Sequence, residues 1–144
     1  MAKKEKVPKN SEVKEKKKRN IKANKRRGSD YERQIAKELR EIGYSVETSR
    51  AHDRALDNAK VDLYDLRGDL PFYGQVKRCI KYPNYIEIKK ACPLKDKEFV
   101  IYWNVQKATE STFRSEGEVV ILDKNFFHKL LKNYLNNGKN NINI

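Results

Sequence analysis

Four residues of this 144-residue chain have types and spacing suited to phosphodiester chemistry: Glu32, Asp62, Gln75 and Lys77. Hydrolysis of a phosphodiester calls for hard oxygen ligands for Mg2+ and a group that positions or activates water. Asp62 offers a carboxylate, Gln75 an amide carbonyl oxygen, and Val76 a backbone carbonyl as a further metal ligand. Lys77 would hydrogen-bond the attacking water or stabilise charge developing on the phosphate. Glu32 would hold a metal-bound water, provided that its helix lies across the strand tips.

The elements that must position these groups are legible around them. Residues 61–66 read as a strand carrying Asp62, and residues 72–79 as a strand carrying Gln75 and Lys77. They are joined through Arg67-Gly68-Asp69-Leu70-Pro71, and Gly-X is a favoured hairpin turn. A two-residue turn centred on Gly68-Asp69 sets Asp62 directly opposite Gln75, with about 5 Å between Cβ atoms. Lys77 lies two residues further on and shares that face, whereas Asp65 falls on the other. Ser29-Asp30-Tyr31-Glu32 reads as a capping box opening a helix. Tyr31, Ile35, Leu39 and Ile42 recur on one face of it, and Gly43 stops it. Residues 44–48 alternate like a strand, and a polar stretch from 49 to 59 contains Arg50, His52, Asp53 and Arg54. Residues 84–91 read as a short helix in preference to a strand. Residues 99–105 and 119–122 are aromatic and β-branched strands. Asp123 would cap a last helix with Phe126, Phe127, Leu130, Leu131 and Tyr134 on its apolar face.

Charge divides the chain. The formal charge is +13, and residues 1–28, with 13 Lys/Arg and 3 Glu, hold +10 of it. This segment contains Lys16-Lys17-Lys18-Arg19 and Lys25-Arg26-Arg27 with almost no apolar residue between them. It cannot bury enough surface to offset ordering entropy, so it reads as a disordered basic arm whose partner is a polyanion, most commonly nucleic acid. A solubilising tail or a localisation signal has the same composition. Residues 29–135 are enough for one two-layer core, and the Asn-rich residues 136–144 read as a frayed polar tail. No apolar run is long enough to span a bilayer. The first residues lack the apolar stretch of a secretory signal, so the expected compartment is cytoplasmic. Cys79 and Cys92 cannot supply a disulfide scaffold or a zinc site alone, and His52 and His128 form no local metal motif. The Lys and Asn richness fits an AT-rich genome, and for a viral gene the compartment would be the host cytoplasm.

The order of these residues resembles the PD-(D/E)XK nuclease superfamily, especially the archaeal-type Holliday-junction resolvases. The resemblance rests on Gly28-Ser29-Asp30-Tyr31-Glu32-Arg33 opening a helix, Val61-Asp62-Leu63 on a strand, and Gly74-Gln75-Val76-Lys77 on the next. It implies a restriction-endonuclease-like α/β sandwich, in which a central mixed β-sheet is flanked by helices. Glu32 then matches the first-helix acid, Asp62 the metal-binding Asp, and Gln75 with Lys77 the (D/E)-X-K pair. Ser49-Arg50-Ala51 resembles the loop by which resolvases approach the cleaved strand, which makes Ser49, Arg50 and Arg54 candidate DNA contacts beside the basic arm. The resemblance further implies Mg2+ (with Mn2+ able to substitute), a homodimer, and branched DNA as substrate. No small-molecule cofactor and no membrane partner are expected. The pattern departs from the family at Gln75, where an acid is usual, although the superfamily includes members with Gln there.

Blander readings stand beside these. Glu32 by local logic serves equally well as a helix cap, and Asp62 with Lys77 as a structural ion pair of small value. His52 reads as a solvated loop residue, His128 as helix-end charge, and Phe99, Tyr102 and Trp103 as core. The expectation from the sequence is a metal-dependent endodeoxyribonuclease acting on Holliday junctions or other branched DNA. Its rivals are a nuclease for unbranched DNA and a catalytically silent nucleic-acid-binding module.

Overall fold

Alternation of helices and strands produces a mixed α/β architecture in the computed structural model, which describes residues 10–142. Helix α1 (Asn10–Ile42) is followed by strand β1 (Val46–Thr48), short helices α2 (Ser49–His52) and α3 (Arg54–Asn58), and strand β2 (Leu63–Asp65). Then come β3 (Phe72–Cys79), α4 (Tyr85–Ala91), β4 (Glu98–Ala108), β5 (Phe113–Leu122) and α5 (Lys124–Ile142). β1 and β2 are antiparallel. β3 and β4 are parallel, crossed over through α4, and β5 returns antiparallel to β4 in a mixed three-stranded sheet. Asn84 caps α4 by accepting from the Glu87 N–H, and Asp123 accepts from the Phe126 N–H in the way its position suggested.

Two apolar cores form. Tyr31, Ile35, Ala36 and Leu39 of α1 bury against Val46, Leu63, Leu70 and Val76. Val61, Tyr85, Cys92, Phe99 and Ile101 make a second cluster, with Trp103 packed against it. Phe99 and Trp103 thus belong with the core, and Tyr102 packs against the first cluster. Among the described residues no helix is long and apolar enough to cross a membrane.

Several expectations need correction. The helix does not open at Ser29. It runs unbroken from Asn10 through Gly28, so the expected disordered arm is helical from residue 10, and the capping box is not formed. Lys, Arg and Glu make up most of that stretch and are good helix formers, and one interior Gly costs only about 1 kcal/mol. Residues 1–9 lie outside the described structure, as do the side chains of Lys16, Lys17, Lys18 and Arg19. Ile42, the last residue of the helix, is 71% exposed, and the fourth apolar contact comes from Ala36 instead. The polar stretch after β1 folds into α2 and α3, the latter capped by Asp53. The tail from residue 136 continues α5 to Ile142, with residues 143–144 outside the described ones.

The hairpin between β2 and β3 also differs. Asp65 accepts from the N–H groups of Arg67 (3.3 Å) and Leu70 (2.7 Å), which shapes a wider loop than a two-residue turn. Gly68 adopts φ +75° within it. β2 pairs with β1, and no β2–β3 ladder forms. A single backbone bond, Asp62 N–H to Gly74 carbonyl at 2.9 Å, joins the two segments instead.

Candidate active site

The β2–β3 junction brings the singled-out residues together by a route other than the expected ladder. Asp62 Oδ2 accepts from the Val76 N–H at 2.8 Å, while the Asp62 N–H donates to Gly74. These two links straddle Gln75, so Asp62 is locked beside the strand segment that carries Gln75 and Lys77. Close approach depends on Gly74, because a Cβ there would meet Leu63 Cδ1 at 2.5 Å. On the other side, Ser49 donates its N–H to the Asp62 carbonyl at 2.9 Å and its hydroxyl to the Val61 carbonyl. Lys60 adopts φ +66° where the chain turns from α3 into Val61 and Asp62.

Gln75 is 6% exposed, and its Oε1 is buried without a hydrogen-bond partner. A buried carbonyl oxygen left unsatisfied costs about 1–3 kcal/mol, which makes it a natural cation ligand. The donor set of Asp62 carboxylate, Gln75 Oε1 and Val76 peptide is of the hard oxygen type that Mg2+ takes. The residues present therefore fit such an ion. Among the described residues, no three His, Cys, Asp or Glu side chains converge, so any third ligand has to be an oxygen of another kind.

Glu32 reaches the same region from α1. It is buried, and Arg50 bridges it to Ser29: Arg50 Nη2 lies 3.3 Å from Glu32 Oε1, and Arg50 Nη1 donates to Ser29 Oγ at 2.7 Å. Glu32 and Arg50 line an open cavity of about 250 Å3 with Ser29, Arg33, Thr48 and Ala51. Burial pushes the Glu32 carboxyl up to about 7, the Asp62 charge adds to the rise, and Arg50 opposes it. Burial likewise raises Asp62 to about 6, against the pull of the Val76 N–H and the Lys77 ammonium. Burial thus disfavours the charged form of both acids, a penalty that a bound cation would offset.

The remaining candidates land differently. Ser49 is fully buried with hydroxyl and N–H both engaged, so it positions Asp62 and does not face solvent for DNA. Arg50 is exposed but already engaged with Glu32, a role that its place in a polar stretch did not reveal. Arg54, Lys25 and Arg26 are exposed, and Arg27 is half-buried. His52 stacks on Tyr64 with 5.8 Å between ring centroids. Sequence reasoning missed the clip of Ser29, Glu32 and Arg50, since it read Ser29 and Glu32 as partners of the backbone. Comparison with protein families, curated proteins and solved structures finds no match to this chain.

Proposed function

We propose that this protein is a divalent-metal-dependent endonuclease that hydrolyses DNA phosphodiester bonds, acting on Holliday junctions or other branched DNA as a two-fold homodimer. The observation that carries the reading is Asp62 tied on both sides of Gln75, whose buried Oε1 has no partner. The element order supports a restriction-endonuclease-like arrangement. An acid-bearing helix precedes an antiparallel strand pair, and the strand with the (D/E)-X-K-like triplet runs parallel to its neighbour through a helical crossover.

In this reading Asp62, Gln75 Oε1 and the Val76 carbonyl would hold Mg2+, which when bound would polarise a phosphoryl oxygen and acidify water. Lys77 donates hydrogen bonds from Nζ to the attacking water or to a non-bridging phosphate oxygen as negative charge develops there. Glu32 accepts a hydrogen bond from that water at a carboxylate oxygen, and Arg50 fixes its orientation. Ser49 and Gly74 keep Asp62 at its station. The basic face of α1, with Lys22, Lys25 and Arg26 exposed, supplies backbone affinity without sequence readout.

Two symmetric cuts at a four-way junction need two sites in antiparallel sense, which a C2 dimer presents. A neutral Gln75 in place of an acid favours a second reading, a silent DNA-binding module with weakened metal affinity. A Mg2+-dependent cleavage assay comparing four-way junction, duplex and single-stranded DNA separates these. Cutting confined to the junction supports the first reading, equal cutting of linear DNA ends the junction preference, and binding without any cutting favours the silent module.

A further inference from the structure

A second concave surface adjoins this site across β3. Lys77 and Arg78 are successive strand residues, so their side chains leave opposite faces of the sheet. On the Arg78 side, a cavity of about 390 Å3 is lined by Arg27 of α1 and by Arg78, Ile80, Lys81, Gln106 and Phe113. That size lies within the range of about 300–1,000 Å3 usual for small-ligand sites.

Three features of the cavity point to one kind of occupant. Its lining holds three cations and no carboxylate. Three lysines elsewhere are paired with carboxylates: Lys89 with Asp123 at 2.7 Å, Lys129 with Glu98 at 2.8 Å, and Lys97 with Asp65 at 3.9 Å. Among the described residues Arg27, Arg78 and Lys81 enter no such pair, so the cavity attracts an anion. Phe113 adds an aromatic ring that is 45% exposed, with the Arg27 guanidinium 5.8 Å from its centroid, at the outer reach of a cation–π contact. Gln106 supplies a buried amide whose orientation is fixed, since its Nε2 donates to Asn104 Oδ1 at 2.7 Å and Ser115 Oγ donates to the same oxygen at 2.6 Å.

Anion, ring and oriented amide together are what an unstacked nucleotide presents and needs. A paired duplex hides its base faces and offers phosphates and groove edges only. We propose that this cavity is a subsite for one unpaired nucleotide of DNA, its base on Phe113, its base edge at Gln106 and its phosphate between Arg78 and Lys81. The inference rests on the nuclease reading for its substrate. Such a subsite, on the face of β3 opposite Lys77, selects DNA with a single-stranded segment or an unstacked branch point.

The test is fluorescence anisotropy of the full chain in EDTA, so that nothing is cut, with a blunt duplex and with the same duplex carrying a single-stranded overhang. Phe113→Ala is expected to weaken overhang binding about fivefold or more through lost stacking, and blunt binding by less than about twofold. Phe113→Trp should keep the overhang preference. Joint Arg78→Ala and Lys81→Ala should lower the slope of log affinity against log salt by about 1–2 on the overhang substrate. These side chains lie at the surface of the cavity, so thermal midpoints close to the parent's confirm that the variants fold. Equal weakening of both substrates by Phe113→Ala, or no weakening, overturns the subsite. Cleavage with Mg2+ is read separately. A parent that binds overhangs through Phe113 yet never cuts keeps the subsite and ends the nuclease reading, whereas a parent that cuts while Phe113→Ala binds like it ends the subsite alone.

Discussion

Gln75 is where the chemistry is most exposed to test, because it keeps the carbonyl oxygen of a Glu but lacks its charge. Gln75→Glu should preserve cleavage or lower the Mg2+ concentration needed, since Lys77 and the metal both favour the added charge. Gln75→Ala and Lys77→Ala should each cut at least about a hundredfold more slowly at limiting Mg2+, with DNA binding retained. Parental rates in both variants would place the chemistry elsewhere. Glu32 supports a second measurement. Its folded value of about 7 lies above the ordinary 4.5, and that of Asp62, about 6, above 3.8. The native state therefore holds protons that the unfolded chain has already released. Stability from this source is present at low pH and is lost as pH rises through about 6 to 7. Glu32→Gln removes its share, so urea melts at pH 5 and pH 8 should differ less than in the parent, with the variant gaining at pH 8. An unchanged pH dependence would mean that Glu32 ionises as it does in water.

At the scale of elements, α1 joins charge to chemistry. It spans 33 residues, close to 50 Å at about 1.5 Å per residue. Its basic half is continuous with the turn that carries Glu32. Removing residues 1–24 should weaken DNA binding and flatten its salt dependence, while cleavage at saturating DNA persists. An identical salt slope would take this segment out of the binding account. Gly28 interrupts the helix only energetically, since a Cβ there meets nothing within 4 Å. Gly28→Ala should therefore raise stability by up to about 1 kcal/mol in thermal or urea melts. Gly74 is the opposite case. Gly74→Ala drives a methyl into Leu63 beside Gln75 and should cost about 1–3 kcal/mol, with loss of cleavage as Asp62 is displaced.

For the whole molecule, the unusual feature is how little of α5 is covered. Phe126 is buried, but Phe127, Leu130, Leu131, Leu135 and Tyr134, the last 81% exposed, leave the expected apolar face open. Val119 and Val120 of the edge strand β5 are exposed as well. An exposed apolar helix face of this kind commonly marks an interface. Under the proposed symmetric cutting, the occupant would be a second copy of the chain. Sedimentation should then give twice the 17.0 kDa of one chain, and Leu131→Lys should shift it toward the monomer. A parent that sediments as a monomer even on junction DNA would leave a nuclease without the two-site geometry.

Residue type and spacing by themselves marked out β3, α4 and the start of α5, because alternation, an Asn cap and an Asp cap are local signals. They also marked Asp62, Gln75 and Lys77 as neighbours, since strands adjacent in sequence tend to be adjacent in space. What they could not reveal was how the neighbours meet. The Gly68-Asp69 turn suggested a ladder, yet Asp65 shaped a wider loop and β2 laddered with β1 instead of β3. Asp62 reaches β3 through its own side chain, a contact with no sequence periodicity. Ser29 and Glu32 likewise matched a local cap, and only the approach of Arg50 from α2 turned them into a clip. Local patterns report hydrogen bonds within a few residues of each other. Bonds between groups 14, 18 and 21 residues apart exist only once the elements have packed, and these are the bonds that assemble the candidate site.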